Sequence, residues 1–319
     1  MDYGKCLPML RVVWLLVGLG GCANTSELYV VRPATADLTF PAQVSLGGSW
    51  TGNAAYYRKL QALLEKSLEA APSKLLTIDA QAPLRLSGSV EQQPPDTAKV
   101  ELQTTCTDYA KEQPKRYPCV LVRRTTTVHV RIAVTLSDRA GRQVYQLLLP
   151  LSATRSTSLS LPQEDVRSKN DAPSIDLDQL YADLLADAAA RLTKALAPHI
   201  ETIEKPKLDC GAQADACNDA WTKLSACDYG VAKREFNEAL AKMPPGHKQQ
   251  DRAAALWGLA VSQELAGAFE QARSSLKAAQ ELDSTQSVFG DELSKLDLEQ
   301  AAVARIRTQG ATQLKACAH

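Results

Sequence analysis

The sequence is poor in the residues that most often build recognition surfaces. Only 5% of its 319 residues are aromatic, and its 36 basic side chains are balanced by 36 acidic ones. A chain without net charge carries no field that favours nucleic acid or an anionic surface. Scarce aromatic rings also argue against a stacking surface for bases or sugars. We therefore expect no nucleic-acid partner.

Recognisable catalytic and metal-binding motifs are missing as well. The sequence has no Gly-x-Ser-x-Gly elbow, and the glycine-rich segment 47–53 lacks the lysine of a phosphate-binding loop. The spacing of its four histidines does not match a metal-binding or catalytic pattern, and its cysteines do not form the C-x₂₋₄-C pairs of zinc sites. These absences predict a protein that is not an enzyme and that needs no metal or cofactor. The alternative is an enzyme whose site is not readable from pattern.

A short apolar run lies near the N-terminus. It follows Lys5 and Arg11, spans residues 12–19 and leads into Gly20, Gly21 and Cys22. A basic start, a short apolar stretch and small residues before a cut are typical of a secretory signal, which is too short to span a bilayer. We predict that residues 1–21 are a cleaved signal peptide.

The Leu-Gly-Gly-Cys sequence at residues 19–22 resembles the lipobox of bacterial lipoproteins. This resemblance implies that Cys22 becomes a lipid-modified N-terminus, and two or three acyl chains at ~0.8 kcal/mol per buried CH₂ give a stable anchor. Ala23 after the cysteine favours sorting to the outer membrane in that family, so we expect attachment to its periplasmic face. The alternative is an ordinary signal with a cysteine after its cut.

The cysteine count fits export to an oxidising compartment. Apart from Cys6 in the signal and Cys22, six cysteines remain, and an even number there indicates disulfides. Six cysteines allow fifteen connectivities, and order along the chain favours one of them: Cys106–Cys119, Cys210–Cys217 and Cys227–Cys317. The first pair would close a polar loop between two predicted strands.

Residues 22–207 show the pattern of an α+β domain. A helix is predicted to start after Asn53 and to run to Leu68, and a second amphipathic helix spans 177–196. Strand-like alternation is clearest at 128–136, followed by turn residues 137–142 and a second strand. We predict a mostly antiparallel sheet with helices on one face.

Residues 208–319 are alanine-rich and helical, and they contain an internal repeat. Tyr229, Ala232, Phe236 and Ala239 recur after 40 residues, as Phe269, Ala272, Leu276 and Ala279. Small residues at close helix crossings and an aromatic residue opening the second helix resemble the tetratricopeptide repeat. The alternative is a plain helical bundle.

The order of elements over residues 28–203 resembles the small α+β domain of outer-membrane lipoproteins. These include curli-secretion channels, peptidoglycan-synthase activators and periplasmic translocation proteins. With helical repeats after it, the chain is expected to be a lipid-anchored, non-enzymatic adaptor or assembly factor that binds another envelope protein. The alternative is a subunit of an envelope export or secretion complex. Candidate binding residues are Lys223 and Gln263 on the first repeat helices, or Lys115 and Arg116 in a basic loop.

Overall fold

The computed structural model describes residues 25–71, 74–108, 115–162, 174–244 and 246–312. Its strands are β1 (Thr25–Arg32), β2 (Ala42–Ser45), β3 (Trp50–Gly52), β4 (Leu76–Ile78), β5 (Leu84–Gln92), β6 (Asp96–Asp108), β7 (Lys115–Ser137), β8 (Gln143–Pro162) and β9 (His199–Pro206). Its helices are α1 (Ala54–Glu69), α2 (Leu177–Leu196), α3 (Ala214–Ser225), α4 (Tyr229–Lys242), α5 (Gln249–Leu265), α6 (Phe269–Leu282) and α7 (Ser287–Thr308). Within these ranges, no helix combines the length and apolarity needed to cross a bilayer.

The chain forms two compact units. The α/β unit contains residues 29–201 and the described residues from 295 onward, whereas the helical unit contains residues 25–28 and 202–294. Both differ from the contiguous domains predicted as 22–207 and 208–319. The physical reason is that the end of α7 belongs to the α/β unit, where the Gln309 amide donates to the backbone carbonyls of Ala34 and Ala36.

The main sheet of the α/β unit is mixed. Strand β2 pairs in parallel with β4 and with β5, and β3 also pairs in parallel with β5. The longer ladders, β5–β7, β6–β7 and β7–β8, are antiparallel. The longer ladders are thus antiparallel, as predicted. The short parallel pairs were not predicted, and they form because the chain returns through α1 between β3 and β4. Strands β1 and β9 form a separate two-stranded sheet.

The core of the α/β unit follows the predicted periodicities. On β7, the buried positions alternate as Val128, Val130, Ile132, Val134 and Leu136. Helices α1 and α2 pack against this face of the sheet through leucines spaced along one side of each helix. Asn53 is the N-cap of α1, because its side chain accepts the backbone N–H of Ala55.

Strands β6, β7 and β8 continue past this core as a three-stranded segment, which we call the arm (residues 96–108, 115–127 and 154–162). Among the described residues, no arm side chain belongs to the main core, and Val120, Val122 and Leu159 form a separate small cluster. Strand β6 has 13 residues, so it is about 44 Å long at 3.4 Å per residue. The arm was not predicted at this length, because apolar alternation covers only short parts of its Thr- and Ser-rich strands.

The helical unit begins with two helical hairpins, α3–α4 and α5–α6, joined by equivalent turns. In the first turn Asp228 N–H donates to Lys223 O, and in the second Ala268 N–H donates to Gln263 O, both at 2.8 Å. The residue before each donor has positive φ, 64° at Cys227 and 76° at Gly267. This pattern is the Schellman helix end, and it repeats at the 40-residue spacing that the sequence predicted.

Candidate functional site

Two of the three predicted disulfides are present among the described residues. The Cα atoms of Cys106 and Cys119 are 5.8 Å apart, and those of Cys210 and Cys217 are 6.4 Å apart. The first pair links the two strands that the sequence predicted, and the loop between them, residues 109–114, lies outside the described residues. Both cysteines lie inside the β6–β7 ladder. Cys119 on β7 is opposite Thr104, and Cys106 lies two residues further along β6 than Thr104. These bonds therefore stabilise the segments that they link, and the four cysteines in them carry no free thiol for catalysis.

The remaining predicted cysteine sites lie partly outside the description. Cys227 is disulfide-bonded, whereas Cys317 and the proposed lipid site Cys22 fall outside the described residues. Within the described ranges, no three His, Cys, Asp or Glu side chains are grouped closely enough to hold a metal ion.

The helical unit exposes one side of α3. Its apolar side is buried through Cys217, Ala220, Trp221 and Leu224. The exposed side, which we call the α3 stripe, recurs at helical spacing and consists of Asp215, Asn218, Asp219, Thr222 and Lys223. Carboxylates in the first turns and a lysine in the last turn also suit the helix dipole. Lys223 is thus at an accessible position, as expected.

The prediction that Gln263 is an exposed binding residue was wrong. Its side chain is only 6% exposed, and its amide oxygen accepts the Ser275 hydroxyl at 2.8 Å. The reason is that α5 packs against both α4 and α6, so residues 257–264 are buried on every side of the helix. The two first helices of the hairpins therefore do not form one continuous exposed surface.

A buried ion cluster joins strand β9 to the helices of the helical unit. Lys205 is 8% exposed and forms ion pairs with Glu292 on α7 and, at 3.6 Å, with Glu264 on α5. Next to it, the Trp257 indole N–H donates to the carbonyl of Pro206 at 2.8 Å. This cluster was not predicted, because Lys205 lies in a polar, proline-bearing segment that is typical of a linker.

The second predicted binding surface, the basic loop, is only partly described. Arg116 is exposed at the start of β7 opposite Thr107, whereas the Lys115 side chain and residues 109–114 lie outside the described part. Arg123, further along the same strand, is exposed on the opposite face of the arm. The structure therefore does not bring these arginines together into one basic patch.

A cleft of about 680 Å³ lies where β2 and β4 end, beside α1. Ligands of α/β sheets often bind outside the carboxyl ends of parallel strands. Here, however, the Ser45 hydroxyl accepts the Gly47 N–H, and the Gln61 amide donates to the Leu46 carbonyl at 2.9 Å. No histidine or cysteine is among the described lining residues.

One histidine has a clearly shifted pKa. His199 is half-buried at the start of β9, and burial is the main cause that lowers its pKa below the ordinary histidine value. Its Nδ1 atom is buried and has no hydrogen-bond partner among the residues that the structure describes. His199 does not line the cleft described above.

Comparison with known proteins adds little. No protein family and no curated protein matches the chain. The PelC dodecamer from Paraburkholderia phytofirmans is 14% identical over 53% of this chain and 98% of its own, with a TM-score of 0.21. A homologue of the neuraminyllactose-binding hemagglutinin from Helicobacter pylori is 12% identical over 57% and 90%, with a TM-score of 0.23. At these TM-scores neither similarity supports a conclusion about this chain.

Proposed function

We propose that this protein is a lipid-anchored, non-enzymatic adaptor of the bacterial envelope that binds another envelope protein through its helical unit. The observation that carries the proposal is the pair of helical hairpins with equivalent turns at 40-residue spacing. Stacked helical hairpins commonly serve as protein-binding scaffolds, since each unit offers one face to a partner. Export is supported by the disulfides, which form and persist in oxidising compartments.

Assignment of the hairpins to the tetratricopeptide type is part of this proposal. It is supported by small buried residues at equivalent positions: Ala232, Ala239, Ala272 and Ala279 are all fully buried. Gly258 supports it as well, because a Cβ there would lie 2.2 Å from the Phe236 ring of the preceding hairpin. Such a close helix crossing is what small residues in repeats of this kind permit.

We place the partner-binding surface on the α3 stripe. It is the exposed side of a first repeat helix, whereas the equivalent residue in the second hairpin, Gln263, is buried. The stripe is polar and carries both signs of charge, which suits a specific interaction better than non-specific adsorption. The rival location is the tip of the arm near Arg116.

The anchor is tested by lipid labelling. We expect Cys22→Ser to abolish incorporation of a fatty-acid probe and to leave an unprocessed or soluble protein, because the modified thiol is gone. Labelling of the variant at the wild-type level would contradict the lipoprotein proposal. Cys6→Ser is the matched control, since the proposal assigns that cysteine to the removed signal.

The binding surface is tested by capture of the intact lipoprotein from its own envelope after crosslinking. Lys223→Glu is expected to reduce recovery of the bound partner, whereas Lys277→Glu, the same change at an exposed position on α6, leaves recovery unchanged. Arg116→Glu is made in parallel. If recovery fails only with the Arg116 variant, the arm binds the partner and the helical unit acts as a spacer.

A further inference from the structure

The described part of the main sheet has two long open edges, strands β6 and β8, each paired with β7 alone; β6 is the edge whose charges and apolar side chains suggest a partner. Within the described residues β6 is hydrogen-bonded to β7 alone, and Asp96–Thr105 is exposed at every position. An edge strand of this length presents a row of unpaired backbone N–H and C=O groups that can extend the ladder with another strand. The question is which strand fits it.

The side chains of β6 alternate between two kinds. On one face lie Val100 and Leu102, each 47% exposed, and they are two of only five large apolar side chains exposed among the described residues. On the other face lie Lys99 and Glu101, which form an ion pair at 3.2 Å within the chain. An apolar centre flanked by one positive and one negative residue is complementary to its own antiparallel copy.

We propose that β6 pairs antiparallel with β6 of a second copy of this chain, with Val100 opposite Val100 of the second copy. In this register Lys99 lies opposite Glu101 of the second copy, and Glu101 lies opposite its Lys99. Four charges then alternate in sign around the two-fold axis. On the other face, Leu102 lies opposite Ala98 of the second copy, so the exposed apolar side chains cover each other.

Charge selects this register over its neighbours. Shifting the axis to residue 99 puts Lys99 opposite Lys99 of the second copy, and shifting it to residue 101 puts two Glu101 side chains opposite each other. Opposite charges directly across an antiparallel pair stabilise it, whereas like charges destabilise it. The interface is isologous and closed, so pairing stops at a dimer. This inference is independent of the proposed adaptor function.

The register makes a test by charge exchange possible. Two full-length copies with different affinity tags are co-expressed, one copy is captured, and the other is quantified. We expect wild type to capture wild type. Lys99→Glu alone places Glu opposite Glu, and Glu101→Lys alone places Lys opposite Lys, so each variant is expected to capture itself at least about tenfold less well.

The decisive combination is a Lys99→Glu copy with a Glu101→Lys copy. Every cross-strand pair is then again of opposite charge, so capture should return, and this rescue excludes misfolding of either variant. Glu281→Lys, the same charge change at an exposed position on α6, should leave capture unchanged. Absence of capture between wild-type copies, or any pattern without loss in the single variants and recovery in the mixed pair, would overturn the proposal.

Discussion

Gly258→Ala is a sharp test of how the two helical hairpins pack. An ideal Cβ at residue 258 would lie 2.2 Å from Cε1 and 2.3 Å from Cζ of Phe236, whereas carbon atoms normally approach to about 3.5–4.0 Å. The ring has nowhere to move, because Phe236 is fully buried and contacts Trp221 edge to face at 5.8 Å between ring centroids. Helices α4 and α5 must therefore separate to admit one methyl group.

The expected cost follows from two opposing effects. Overpacking of a filled core typically costs about 1–3 kcal/mol, while alanine is favoured over glycine inside a helix by about 1 kcal/mol. Because the overlap at 2.2 Å is severe, we take the upper half of the overpacking range, about 2–3 kcal/mol, and expect a net loss of about 1–2 kcal/mol in the free energy of unfolding. Gly290→Ala on α7 is the matched control, because its nearest neighbour would be the Gln280 amide at an ordinary 3.5 Å. That variant should be stabilised by up to about 1 kcal/mol.

Urea unfolding followed by circular dichroism and tryptophan fluorescence measures both changes. Truncating the obstructing ring should recover part of the loss, so Gly258→Ala combined with Phe236→Leu is expected to be more stable than the sum of the single changes. A Gly258→Ala protein as stable as wild type would show that these helices do not cross as closely as described.

Three further predictions concern the buried ion cluster, the shifted histidine and the arm disulfide. Lys205→Met should cost about 3–5 kcal/mol of unfolding free energy because it removes the cation that pairs with the buried Glu292 carboxylate, and a loss below about 1 kcal/mol in urea unfolding would contradict this. Burial lowers the pKa of His199 in the folded state, so the unfolded chain binds the proton more tightly. Stability should therefore fall as the pH drops from about 6.5 through the lower folded pKa, and less so in His199→Gln; equal losses in both proteins would refute this. Cys106 and Cys119 should stay unmodified when the non-reduced exported protein is treated with a thiol reagent and examined by mass spectrometry.

Local signals in the sequence predicted much of the α/β unit. The N-cap at Asn53, the buried alternation over 128–136 and the amphipathic helix α2 are each encoded within about 20 residues of chain. The turn after β7 is local as well, because the Asp138 carboxylate accepts the backbone N–H groups of Ala140 and Arg142. The first disulfide followed from the cysteine count and from the strands on either side.

What the sequence did not reveal depends on distant contacts. The three-residue strands β3 and β4 are too short to show a period, so their parallel pairing was not predicted. Gln263 looks like a surface residue by type, and only the packing of α5 between neighbouring helices buries it. The return of α7 to the α/β unit depends on Gln309, whose partners Ala34 and Ala36 lie more than 270 residues earlier.

Photo-crosslinking in intact cells tests the central claim most directly. A photoreactive amino acid is placed at Lys223 on the α3 stripe, and at the exposed Lys277 on α6 as the control, in the full-length protein expressed in its native cells. The adaptor proposal predicts one discrete adduct with another envelope protein from position 223, no such adduct from position 277, and loss of the adduct when Cys22→Ser removes the anchor. No adduct at position 223, or the same adducts at both positions, would contradict it.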